Sequence, residues 1–248
     1  VSLLTGQKMY NRTNTVSIES PNGHAVYAHD GGKVTLDAVK VKKADKSAIC
    51  AEKGGNITLG IVSGLTDESI STDDDAGSQV SLSVDGNYTG QVKGNVNVAF
   101  TKGSTYKADN DSIGTVTLNG STWDGSLLRD NGSVSINSNG QWNMGETGRG
   151  IKLSALTGGK TTASRGYVKM GSDNLHIGTY SGNGTFIYDH DASDPTKILG
   201  GNITIEESKP LSLSSTDLGD KGDSTAEGTS ASTIAIATDS AGIDTTDN

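Results

Sequence analysis

The chain has little of what most folds of its size rely on. Of 248 residues, one is cysteine, Cys50, and three are proline. A single thiol cannot close an internal disulfide, so the fold is not a cystine-stapled secreted scaffold. Cys50 follows Ala48-Ile49 and reads as a small buried hydrophobe. So few prolines exclude a collagen-like chain or a proline-rich linker. Aromatic residues make up 4% and hydrophobic residues 32%, less than a conventional globular core would use. No stretch approaches the ~18 apolar residues of a membrane-spanning helix. No long segment carries a 3.6-residue apolar period. Positive charge is short as well: the net charge is −9, which argues against nucleic acid and anionic membrane surfaces as partners. The chain opens on Val1 with neither an initiator Met nor a signal-peptide pattern, so a fragment of a longer product is expected.

What is present in excess is glycine, 34 residues, about twice the usual roughly 7%. Much of it sits in one recurring phrase: Gly, one or two small or polar residues, then apolar–polar–apolar. It reads Gly32-Lys33-Val34-Thr35-Leu36, Gly55-Asn56-Ile57-Thr58-Leu59 and Gly77-Ser78-Gln79-Val80-Ser81-Leu82. It returns as Gly94-Asn95-Val96-Asn97-Val98, Gly114-Thr115-Val116-Thr117-Leu118, Gly132-Ser133-Val134-Ser135-Ile136 and Gly201-Asn202-Ile203-Thr204-Ile205. From Val34 through Ile57, Val80, Val96 and Val116 to Val134, the steps are 23, 23, 16, 20 and 18. Alternation sends Val and Leu to one face of a strand and Thr or Ser to the other. The preceding glycine allows a tight turn, including one at positive φ. A period near twenty with one such strand per unit is the mark of a repeat architecture. Each unit is too small to bury its own apolar face, so the units must stack. An all-β coiled solenoid is therefore expected; the competing β-sandwich also has regular short strands but does not require the phrase to recur.

The repeats occupy residues 1–205, and Tyr167-Val168-Lys169-Met170 with Leu175-His176-Ile177 fills the gap after Val134. Residues 206–248 form a Ser/Thr/Asp/Gly-rich extension, read as peripheral strands or linker, with Leu211-Ser212-Leu213 and Ile234-Ala235-Ile236 as its strand-like pieces. Within 110–205 the motifs become specific. Val116-Thr117-Leu118-Asn119-Gly120-Ser121-Thr122-Trp123 resembles the strand, Asn-Gly-Ser, Trp unit of bacterial autotransporter passenger domains. Gly132 to Ile136 followed by Asn139-Gly140-Gln141-Trp142 is similar to the next coil of that family. Ser181-Gly182-Asn183-Gly184-Thr185-Phe186 resembles the phrase that closes a coil near the passenger's C-terminal end. Lys197-Ile198-Leu199-Gly200 stands where the family usually has an Asp-Gln or Asp-Lys pair. The resemblance implies a right-handed single-stranded parallel β-helix of the pertactin-like, pectin-lyase-like class, displayed on the bacterial cell surface. The family serves adhesion, self-association, proteolysis and esterase chemistry, and fold does not choose among them.

No motif supplies a catalytic constellation. Gly222-Asp223-Ser224 lacks the following glycine of a protease nucleophile and sits in a low-complexity tail. No Gly-x-Ser-x-Gly elbow occurs. The histidines, His24, His29, His176 and His190, fall in no metal-ligand motif; His176, between Leu175 and Ile177, is expected to point outward. Acidic clusters at Asp73-Asp74-Asp75, Asp109-Asn110-Asp111 and Asp189-His190-Asp191 with Asp194 read as solvated turns, with adventitious Ca²⁺ as the alternative. Arginine is scarce, and no Arg or Lys recurs at one strand position as a catalytic groove would suggest. Lys221-Gly222-Asp223 is too short a match to an integrin-binding tripeptide to carry weight. No catalytic residue, metal or cofactor is expected. The expectation is a non-catalytic adhesin or self-association module whose outward row Thr35, Thr58, Ser81, Thr117 and Ser135 contacts a surface glycan or protein, or a second copy. A carbohydrate-active β-helix enzyme, a polysaccharide lyase or hydrolase, is the alternative.

Overall fold

A computed structural model describes residues 2–3, 7–45, 47–159, 164–188, 190–191, 194–198, 203–209 and 233–237. Among them secondary structure is almost all strand, and no helix is long and apolar enough to cross a membrane. The chain divides into two compact units, Val1–Thr117 and Leu118–Asn248.

The first unit holds β1 (Ser2–Leu3), β2 (Lys8–Ser20), β3 (Val26–His29), β4 (Lys33–Ala44), β5 (Ile49–Glu52), β6 (Asn56–Ser63) and β7 (Ile70–Thr72). It continues with β8 (Gln79–Asp85), β9 (Asn87–Tyr88), β10 (Val92–Gly94), β11 (Val96–Phe100), β12 (Thr105–Lys107) and β13 (Asn110–Ser112). One sheet runs β1-β3-β5-β7-β10-β13, a second carries β2-β4-β6-β8-β11, and β9 pairs with β12 in a third. All these pairs are parallel. Successive strands of the chain thus fall in different sheets, and each pairs with its counterpart one coil away, which is a β-solenoid. The recurring phrase is the second sheet. Val34 pairs with Ile57, Ile57 with Val80 and Val80 with Val96, so the steps of 23, 23 and 16 are pairing offsets. The apolar positions of the phrase, Val34, Leu36, Ile57, Leu59, Val80 and Leu82, are all buried, and each such side chain contributes roughly 1.5–3 kcal/mol by leaving water.

Two details depart from simple alternation. In β4 and β6 the buried side switches after two successive unburied residues: Leu36 is followed by Val39, and Leu59 by Val62. The strands turn a corner there. At that corner a Cβ on Gly60 would lie 2.1 Å from the Asp37 carbonyl oxygen, so only glycine fits. The phrase glycine Gly55 serves close approach, since a Cβ there would lie 2.2 Å from the Ala28 carbonyl oxygen while positive φ belongs to Gly54 before it; the phrase glycine Gly94 has positive φ itself, 86°. The third sheet, together with Phe100 of the second, forms an interior ring stack that the phrase does not announce. Tyr88, Phe100 and Tyr106 are fully buried, with ring centroids 5.6 Å apart for Tyr88–Tyr106 and 4.7 Å for Phe100–Tyr106.

Strand β14 (Thr115–Asn119) spans the division; Val116 and Leu118 are buried. The second unit holds β15 (Thr122–Gly125), β16 (Gly132–Asn137), β17 (Gly140–Met144), β18 (Ile151–Thr157), β19 (Gly166–Lys169) and β20 (Leu175–Ser181). It continues with β21 (Asn183–Tyr188), β22 (His190–Asp191), β23 (Asp194–Ile198), β24 (Ile203–Lys209) and β25 (Thr233–Ala237). One parallel sheet runs β16-β18-β20-β24 and another β15-β17-β19-β21-β25; β22 and β23 pair antiparallel. Val134 and Ile136 are buried, and Trp123 and Trp142 pair in register and stack with centroids 5.0 Å apart at 7°. The Trp142 indole N–H donates to the Gly125 carbonyl at 2.9 Å, satisfying the one polar atom of a buried ring. Ile234-Ala235-Ile236 lies in β25 against β21; Leu211-Ser212-Leu213 and the Gly222-Asp223-Ser224 and Lys221-Gly222-Asp223 motifs lie outside the described residues.

Candidate functional site

The outward row exists within the first unit as a register. Thr35 lies beside Thr58, Thr58 beside Ser81, and Ser81 beside Asn97. Thr58 is exposed and the others half-buried, as the polar side of an alternating strand should be. Asn97 donates from Nδ2 to the Ser81 hydroxyl at 3.5 Å and accepts the Thr115 backbone N–H at 3.0 Å. In the adjacent row Asn56 donates to the Gln79 side-chain oxygen at 3.4 Å. Thr117 lines a shallow depression of about 270 Å³ with Ser81, Ser83, Asn97 and Ala99. This face carries short hydroxyls and amides and no charge at the row itself. Ser135 belongs to the second unit, where it lies beside Thr157, and Thr157 beside Ser181 with the hydroxyls 3.4 Å apart. Four of the five expected residues therefore share a unit, and the fifth starts a second row. Asn97 completes the first row and was legible in the phrase Val96-Asn97-Val98.

The outer face of the first sheet in the same unit is more elaborate than the sequence suggested. His24, Tyr27 and His29 stack, with centroids 4.9 and 4.7 Å apart. The Tyr27 hydroxyl donates to Glu52 at 2.6 Å, and that bond with a carboxylate, together with burial, pushes the phenol up to about 12. His24 Nδ1 donates to the Ser47 carbonyl at 2.7 Å. Cys50 pairs with Tyr27. It lies on the same outward side, yet its exposure is only 4%. Burial pushes its thiol up to about 11 against a lowering hydrogen bond from Ser71, with Glu52 adding to the rise. A thiol so placed stays protonated and is a poor nucleophile.

The Asp73-Asp74-Asp75 cluster acts as a turn former; Asp189 of the third acidic cluster lies outside the described residues. Asp73 accepts backbone N–H groups from Lys53 at 2.7 Å and Asp75 at 3.3 Å, and Asp75 accepts that of Gly77 at 2.8 Å. Burial alone would raise the Asp73 carboxyl; the Ser78 hydroxyl and these N–H groups outweigh it and hold it below the ordinary carboxylate range. Asn110 is fully buried and its side-chain oxygen accepts the Ser112 N–H at 2.9 Å. Among the described residues no three His, Cys, Asp or Glu side chains converge as a metal site.

In the second unit the outward face of β18, β20 and β24 is concave. Lys152 lies beside His176 and His176 beside Thr204. His176, half-buried and outward, donates from Nε2 to Glu206 at 2.8 Å. A depression of about 410 Å³ is lined by Lys152, His176, Gly178, Glu206 and Glu207 among others. A second of about 250 Å³ adjoins it, sharing Lys152 and His176 and adding Asp130 and Arg149. The Arg149 guanidinium meets Asp130 at 2.8 Å and the Leu127 carbonyl at 3.3 Å. Sequence spacing hid this grouping, because its members are separated by 24 residues from Lys152 to His176 and 30 from His176 to Glu206. Here a lysine and a histidine share one strand position in successive coils; a lysine does recur at one position in the first unit, where Lys8 pairs with Lys33, contrary to the expectation that no Arg or Lys would.

Beside the loop entering β18 sits Asp173, 6% exposed. Its carboxylate accepts the Thr147 N–H at 2.5 Å, the Thr147 hydroxyl at 2.6 Å and the Gly148 N–H at 3.1 Å. Burial pushes this carboxyl up, but the Thr147 hydroxyl and the N–H groups of Thr147, Gly148 and Gly150 prevail and hold it below its ordinary value. All its acceptor capacity is directed at one loop, so its role is to hold that loop. Compared with known proteins, the chain matches no family model, no curated protein and no solved structure.

Proposed function

We propose that this chain is part of a bacterial cell-surface adhesin or self-association module of the autotransporter passenger kind, with a right-handed, pertactin-like coil. It binds through strand faces and loops and does no chemistry. The observation that carries this reading is the in-register row Thr35, Thr58, Ser81 and Asn97, with Thr117 beside it and a second row from Ser135. Short hydroxyls and amides at the regular strand spacing of about 4.8 Å suit hydrogen bonding to a glycan, a protein edge or a facing copy. Many equivalent weak contacts add up to firm attachment. A net charge of −9 opposes close self-contact, so self-association strengthens as salt screens it.

The test is display of the chain on a bacterial surface. Cells carrying it adhere or clump, and Thr58→Lys with Thr117→Lys weakens this without lowering the melting temperature. Undiminished clumping by the double variant would remove the row from the mechanism. The alternative, a polysaccharide-degrading enzyme, draws on the Lys152, His176 and Glu206 grouping. Turnover of a uronate-containing polymer by the purified chain, abolished by His176→Ala, would decide for it.

A further inference from the structure

We propose that the groove over β18, β20 and β24 is a subsite for a single saccharide unit bearing a carboxylate. The inference rests on the chain being a binder and names what one of its faces takes. At about 410 Å³ the main depression lies toward the lower end of ligand sites, roughly 300–1,000 Å³. Gly178 lines it, and a Cβ there would lie 2.8 Å from the Ser154 carbonyl oxygen, so the two coils approach closely at this point. Its two ends differ in charge. At one end the Lys152 ammonium is exposed and has no ion-pair partner among the described residues. Arg149, by contrast, is already engaged with Asp130. At the other end are Glu206, held by His176, and Glu207.

Such a groove suits a ligand with an anion at one end and hydroxyl donors at the other. A carboxylated sugar has both on one ring. Its carboxylate takes Lys152 through a charge-assisted hydrogen bond, the stronger kind. Its hydroxyls donate to Glu206 and Glu207, which as carboxylates can only accept. A long polyanion fits less well, because the whole chain carries −9 and repels it. The site therefore favours one acidic unit, such as the end of a glycan, over a run of them.

The probes are sialyllactose and digalacturonate, with lactose and the methyl esters of both acids as uncharged controls. Binding to the full 248-residue chain is followed by calorimetry and by shifts of the His176 ring protons. The expected result is saturable binding of at least one acid that moves the His176 signals. Binding is about tenfold weaker for its ester and about tenfold weaker for Lys152→Gln, the scale of one charge-assisted bond. Lys152 is exposed, so this variant melts as the parent does. Equal binding of ester and acid, equal binding by Lys152→Gln, or no binding of either acid overturns the proposal. The broader reading fails separately. Cells that clump while the chain ignores both acids refute the subsite alone. Acid binding without adhesion or clumping refutes the adhesin reading alone.

Discussion

Replacing Asp173 by Asn tests whether one buried carboxylate holds the loop that leads into β18. The change keeps the shape and removes the charge. Asp173 receives three hydrogen bonds from Thr147 and Gly148, and its exposure is only 6%. Asn retains one acceptor oxygen but turns an NH₂ group toward donors. At least one buried N–H then loses its partner, which costs about 1–3 kcal/mol, and the remaining bonds lose their charge assistance. A loss of about 2–4 kcal/mol at pH 7 follows. The pH dependence gives a second check. The folded carboxyl is held below its ordinary value, so its contribution is complete above the unfolded value of about 3.9. It is lost as pH falls through the lower folded value. Urea midpoints for parent and Asp173→Asn should therefore differ most near neutrality and draw together below about pH 4. If the two proteins share a midpoint at pH 7, or if their gap stays constant into acid, the account of this loop is wrong.

Other outcomes follow from the core and the turns. Ile57→Asp places an unpaired charge where Ile57 is fully buried and should abolish cooperative melting; a parent-like melt would mean that the register is wrong. Gly60→Ala should cost about 1–3 kcal/mol, because the new methyl meets the Asp37 carbonyl oxygen and the corner must shift, and an unchanged urea midpoint would refute the close approach. The Cys50 thiol, 4% exposed and pushed up to about 11, should resist an aromatic disulfide reagent at pH 8 until the protein unfolds, whereas rapid stoichiometric reaction of the native chain would show an open site.

What the sequence determined by itself is the coil. A strand's alternation and a coil's length are both written locally, so Val34, Ile57, Val80 and Val96 could be aligned from their spacing, and they pair in that order. The outward Thr35, Thr58 and Ser81 followed at once, because in-register inward residues fix the outward ones between them. From Gly132 onward the spacing became less informative. There the pairing of β16 with β18 shifts between Gly132 and Ser133, and a slip of one residue exchanges the faces. Only the tertiary structure decided which side chains from different coils meet. Tyr27 over Cys50, Tyr88 against Tyr106, Trp123 against Trp142, and Lys152 beside His176 with Glu206 are all contacts between coils. Their positions depend on the length of each intervening loop, and loop lengths carry no periodic signal. The corner at Gly60 has the same origin: the glycine is visible in the sequence, but the carbonyl that requires it comes from the coil before.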